Sequence, residues 1–131
     1  MASFLDPLLD SSRRFRLVNL TTGTLVADTL ETAFDSAGRK GGLLGRERFE
    51  PGRALILAPC NAVHTLFMRF PIDVVLVGRD GRVVKVCHRV PPWRIALALS
   101  AFATIELPAG TAQTAGVRPG DTITMELLDT Q

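Results

Sequence analysis

The chain has 131 residues, 47% of them hydrophobic, with 15 Lys and Arg against 13 Asp and Glu, for a formal net charge of +2. That length suits one domain with its own apolar core, and the hydrophobic fraction excludes a disordered chain. The near-neutral balance, without a dense basic run, argues against nucleic acid as a partner, and two cysteines cannot build a disulfide framework.

Residues 1–14 read as an N-terminal extension with one short helical turn around Leu5 to Leu9, ahead of a single globular domain over residues 15–131. Asp6 and Asp10 precede the first arginine and no secretory apolar core follows. The longest apolar run, Ile95 to Ala103, is interrupted by Ser100 and is too short to span a bilayer. These features point to a cytoplasmic protein with no membrane partner.

Phe15 to Leu20 and Thr24 to Thr29 form a predicted hairpin around Thr21-Thr22-Gly23. Glu31 to Arg46 is the best helix candidate, shortened or broken by Gly38, Gly41 and Gly42. Beyond Pro51-Gly52 come strand-like runs at Ala54 to Ala58, Val63 to Met68 and Ile72 to Val77. Asp80-Gly81 then turns the chain into Arg82 to His88. Pro91-Pro92 breaks the chain before Ile95 to Ala103. Thr104 to Leu107 and Asp121 to Leu128 supply the last strands, with a helical turn within Gly110 to Gly116. The pattern predicts a mainly β fold: a compact single-domain β-barrel or sandwich of short, mostly antiparallel strands with one or two small helices.

The stretch from Cys60 to Asp73 gathers a thiol, an imidazole, a guanidinium and a carboxylate between strand-like runs. On a strand, Cys60 and His64 stand about 13 Å apart, so a thiolate–imidazole pair needs a bend near Asn61. His64 and Asp73 are better placed. A tight turn at Arg69-Phe70 would pair Leu66 with Asp73 and put His64 on the diagonal, about 7–8 Å away. Asp73 could then orient the imidazole for acid–base chemistry, or simply pin the turn by pairing with Arg69. No metal-ligand spacing occurs among His64, Asp73, Cys60, Cys87 and His88, so neither a metal nor a cofactor is implied.

Alternation along Thr104 to Pro108 sends Ile105 and Leu107 into the core and leaves Glu106 on the other side. There it is either an ordinary exposed glutamate or, in a barrel mouth, a partner for Arg69, Arg46 or Arg94. Gly41 to Arg46 lacks the Lys-Ser/Thr of a phosphate loop, so its glycines read as close-packing positions. Phe67, Met68 and Phe70 within the Cys60–Asp73 stretch, and Trp93 beyond it, read as core residues, or as an apolar patch for a ligand or protein.

Several blocks together carry a family resemblance: Gly42-Leu43-Leu44-Gly45-Arg46, then His64-Thr65 with Met68 to Val75, then Asp80 to Val84, Glu106 to Thr111 and Gly120-Asp121. In order and spacing they resemble the bacterial and archaeal domain-of-unknown-function family 192, over roughly residues 16 to 128. The resemblance implies a small, mainly β fold without an established activity. It also implies that Asp73, Glu106 and Gly110 follow the shared pattern, while His64 stands where many relatives have tryptophan.

The expected function is a non-enzymatic binding module. Its cleft near residues 60–73, lined by His64, Arg69, Asp73, Glu106 and Arg46, would take a small polar ligand or peptide. The alternative is a small hydrolase- or transferase-like enzyme using His64 with Asp73, and with Cys60. A third reading is a structural or assembly protein acting through an aromatic surface.

Overall fold

The computed structural model describes residues 2–128, apart from the side chain of Lys40. The last three residues of the expected domain lie outside it. A 3-10 turn at Asp6–Leu9 opens the chain. It is followed by β1 (Phe15–Asn19), β2 (Thr24–Ala27), β3 (Thr29–Ala33), α1 (Ser36–Gly41), β4 (Arg53–Leu57) and β5 (Ala62–His64). The second half holds β6 (Ile72–Val77), β7 (Val83–Val90), β8 (Ile95–Leu97), β9 (Ala103–Pro108), α2 (Thr111–Thr114) and β10 (Ile123–Leu127).

These strands form three sheets, ordered β10-β1-β2, β3-β4-β9-β6-β7 and β5-β8. All described pairings are antiparallel except β3 with β4. The architecture is a sandwich-like stack rather than a closed barrel, with the five-stranded sheet in the middle. On one face, Ile56, Val75, Ile105 and Leu107 pack with Leu17 and Ile123 of the three-stranded sheet and with Ala112 of α2. On the other, Leu55, Leu57, Val74 and Leu76 pack with Leu43, Phe49, Met68 and Ala96. Each of the larger side chains among them, fully buried, contributes about 1.5–3 kcal/mol of transfer free energy.

Because both faces are covered, β6 and β9 are buried at every position. Alternation therefore loses its meaning there. Glu106, expected outside the core, is buried on the second face, level with Leu55 and Val74.

Two other expectations are corrected. The helix over Glu31 to Arg46 shrinks to Ser36–Gly41, because residues 29–33 pair in parallel with β4. Asp35 caps the short helix by accepting the Gly38 N–H, and Gly42 closes it at φ 43°. The hairpin between Val63–Met68 and Ile72–Val77 does not form. β5 pairs instead with β8, setting His64 opposite Ile95, while β6 lies between β7 and β9. The hairpins β1–β2 and β6–β7 form as expected, the latter turning at Asp80-Gly81. The N-terminal turn is anchored: Leu5 joins the first core, and the Phe4 N–H donates to the Arg79 carbonyl at 2.8 Å.

Candidate functional site

The residues expected to share one cleft are distributed over both faces of the five-stranded sheet. Asp73 sits on the first face beside α2, fully buried. Its Oδ1 accepts the Arg89 N–H at 2.8 Å, and its Oδ2 accepts the N–H groups of Gly110 at 3.0 Å and Ala112 at 2.8 Å. A carboxylate committed to three backbone donors fixes chain geometry. It holds the left-handed residue Arg89 at φ 48° and the entry to α2.

His64 lies beyond the opposite face, exposed on the β5–β8 ribbon, whose Val63 and Ala96 pack inward. The central sheet separates it from Asp73. Arg69 is exposed and pairs with Glu47 at 3.6 Å rather than with Asp73. The Cys60 thiol donates to the Ala62 carbonyl at 3.2 Å. A 220 Å³ hollow beside it is lined by Pro59, Cys60, Asn61, Ala101 and Phe102. A larger hollow of 390 Å³ lies between His88 and the α2 region, lined by Gln113, Gly116 and Arg118 among others. Neither includes His64, Arg69, Asp73, Glu106 or Arg46. Among the described residues, no three His, Cys, Asp or Glu side chains converge as metal ligands.

Glu106 and Arg46 do come together with Glu31. Cross-strand register places Glu31, Leu55, Glu106 and Val74 in one row across four strands. Arg46 grips Glu31 through two hydrogen bonds of 2.9 and 3.0 Å, and Arg53 adds a 3.5 Å contact to the same carboxylate. The Arg46 hydrogen bonds hold the Glu31 carboxyl below its usual range. Burial pushes the Glu106 carboxyl up to about 7, with the field of Arg46 opposing the shift. Gly42 lies over it, where an added Cβ would stand 3.8 Å from Oε1. The glycine-rich stretch therefore packs against the sheet.

A different surface emerges around residues 60–73. Phe67 and Trp93 are both exposed, at 68% and 56%, with ring centroids 4.6 Å apart and planes at 60°. Both occupy left-handed backbone, at φ 65° and 70°, a conformation that costs bulky residues of order 1–3 kcal/mol. Thr65, buried at 1% exposure, holds the two turns together. Its hydroxyl donates to the Pro91 carbonyl at 2.7 Å and accepts the Arg94 N–H at 2.9 Å. Its carbonyl accepts the N–H groups of Met68 and Trp93 at 3.2 and 3.0 Å. Ile95 and Leu97 project from the ribbon beside them, with Leu99 exposed just beyond. The sequence marked Phe67 and Trp93 as candidates for an apolar patch, but Thr65 carried no signal beyond its place beside His64 in the family pattern.

The family model of DUF192, described as an uncharacterized ACR, matches residues 18–125. The chain belongs to this family. This DUF192 protein is also similar to two solved structures. One is a protein of unknown function from Novosphingobium aromaticivorans DSM 12444, at 22% identity and a TM-score of 0.72, covering 84% of this chain and 82% of that one. The other, from Sinorhizobium meliloti 1021, is named as a proposed transcription regulator. It is 24% identical with a TM-score of 0.74, covering 86% of this chain and 92% of that one. At these identities the likeness establishes the fold the DUF192 chain shares with them. Among curated proteins, none matches it. No helix among its described residues is long and apolar enough to cross a membrane.

Proposed function

We propose that this protein is a non-enzymatic binding module that recognises a polypeptide through the exposed face built by β5, β8 and the Phe67 and Trp93 turns. The observation that carries the reading is the exposed Phe67–Trp93 pair in left-handed backbone, its two turns tied by the buried Thr65, whose carbonyl accepts the Met68 and Trp93 N–H groups. Strained backbone persists only where its surroundings enforce it, and here they enforce the display of two aromatic rings to solvent. Isolated exposed apolar residues are ordinary, whereas rigid aromatics beside Ile95 and Leu97 supply the anchors typical of protein interfaces. Catalysis by His64 with Asp73 has no support, because the central sheet lies between the two groups. The acid–base candidate with a perturbed carboxyl, Glu106, is 4% exposed.

The test is a selection of displayed random peptides on the folded chain, followed by binding to a Phe67→Ser, Ile95→Ser double variant. Selected peptides are expected to lose affinity for the variant by roughly tenfold or more. Failure to enrich any peptide, or equal affinity for wild type and variant, would sink the reading.

A further inference from the structure

We infer that the occupant of this face is an extended acidic polypeptide segment with interspersed apolar side chains. The inference rests on the binding reading above and adds the chemistry of the partner. The two stretches that build the face, residues 61–69 and 91–99, contain no Asp or Glu. They carry His64, Arg69 and Arg94, all exposed, and the exposed Lys85 of β7 reaches over to the ribbon. Two of these cations are fastened to the patch itself. The Lys85 ammonium donates to the Leu97 carbonyl at 3.2 Å, and the Arg94 guanidinium donates to the Trp93 carbonyl at 3.3 Å. Across the rim, Glu47 meets Arg69 at 3.6 Å with its side chain 77% exposed. Such a solvated pair is worth little and exchanges readily for a better-placed partner carboxylate.

The ribbon's backbone narrows the class of partner. The Thr65 N–H donates to the Arg94 carbonyl and the Ala98 N–H to that of Asn61, so residues 61, 63 and 65 bond towards β8. The backbone groups of Ala62 and His64 on one edge, and of Ile95 and Leu97 on the other, therefore point outward. The Leu97 carbonyl is taken by Lys85 and the Ala62 carbonyl by the Cys60 thiol. Among the described residues, no backbone group outside the ribbon bonds to those of His64 or Ile95.

A lipid bilayer would strip water from these groups and offer nothing in return, whereas an extended polypeptide can pair with them. Single-stranded nucleic acid would stack on Phe67 and Trp93 but leave Ile95, Leu97 and Leu99 without an apolar counterpart. A second copy meeting this face across a two-fold axis would set cations against cations.

The experiment uses Trp93, the chain's one tryptophan, as its reporter. The probes are two short synthetic peptides with leucine at the same alternate positions, one filled in with glutamate and the other with lysine. The glutamate peptide is expected to shift the Trp93 emission, with affinity falling about tenfold as salt rises from about 0.01 to about 1 M. An Arg94→Glu, Lys85→Glu variant is expected to prefer the lysine peptide. Equal binding of the two peptides, or no salt dependence, overturns the charge inference while leaving the binding face intact. A response only to phosphatidylserine vesicles or to an oligothymidine strand overturns it in favour of another class of partner. Silence of every probe also overturns it, and the peptide selection above then decides separately whether the face binds at all.

Discussion

Asp73 and Arg89 are joined by a 2.8 Å hydrogen bond from the Arg89 N–H to Oδ1, across the β6–β7 pair and at the residue where β7 passes through φ 48°. Oδ2 meanwhile accepts the N–H groups of Gly110 and Ala112, so one buried carboxylate ties together β6, β7 and α2. Removing it strands three backbone donors in or near the core. Asp73→Ala is expected to cost at least about 3 kcal/mol, read as a lower denaturant midpoint in chemical unfolding. Asp73→Asn should also destabilise, because one acceptor becomes a donor facing an amide. An unchanged midpoint for Asp73→Ala would contradict this role.

Glu106 makes stability depend on pH in the direction opposite to most carboxylates. Burial raises its carboxyl from 4.5 to about 7, with Arg46 partly opposing the shift. The folded state therefore holds the proton more tightly than the unfolded chain does. The stabilisation is complete below pH 4.5, declines as the unfolded chain ionises, and is gone once pH passes about 7. The shift corresponds to about 3 kcal/mol. Glu106→Gln, which cannot ionise, should flatten this decline when unfolding free energies are compared across that window. A parallel decline in wild type and variant would assign the effect to other groups.

Thr65→Val keeps the shape of a nearly isosteric side chain and deletes only the hydroxyl. The Pro91 carbonyl loses its donor and the Arg94 N–H its acceptor, at a site 1% exposed. The expected cost is about 1–3 kcal/mol. The Trp93 emission should also change, because the turn that carries the ring is no longer tied. Unfolding that shifts without any change in native emission would separate Thr65 from the placement of Trp93.

Phe67→Gly tests whether the aromatic display serves function rather than folding. Glycine tolerates φ 65° at no steric cost, which offsets the lost ring contact with Trp93 and the extra freedom of the unfolded chain. Stability should stay within about 1 kcal/mol of wild type while affinity for selected peptides falls. A large loss of stability would make the ring a structural element instead.

Local chemistry was legible where the local chain decides the outcome. Asp80-Gly81 announces its hairpin because the turn needs positive φ, and Gly81 adopts φ 85°, where a Cβ would stand only 2.3 Å from the Ile123 carbonyl. Gly110, singled out by the family pattern, is required twice: it sits at φ 95°, and Arg89 covers the space a side chain would fill at 3.0 Å. Glu31 to Arg46 misled because its apolar spacing is compatible with a helix, while long-range parallel pairing with β4 claims residues 29–33.

The Cys60–Asp73 stretch shows where the boundary lies. Its composition by itself determined that a thiol, an imidazole, a guanidinium and a carboxylate lie close along the chain with aromatics among them. It could not determine which strands they meet, because strand pairing joins residues far apart in the chain. The β5–β8 and β6–β9 pairings send His64 to solvent on one side and Asp73 into the core on the other. Only the tertiary structure made that separation, since the face a side chain occupies is set by the sheets that cover it.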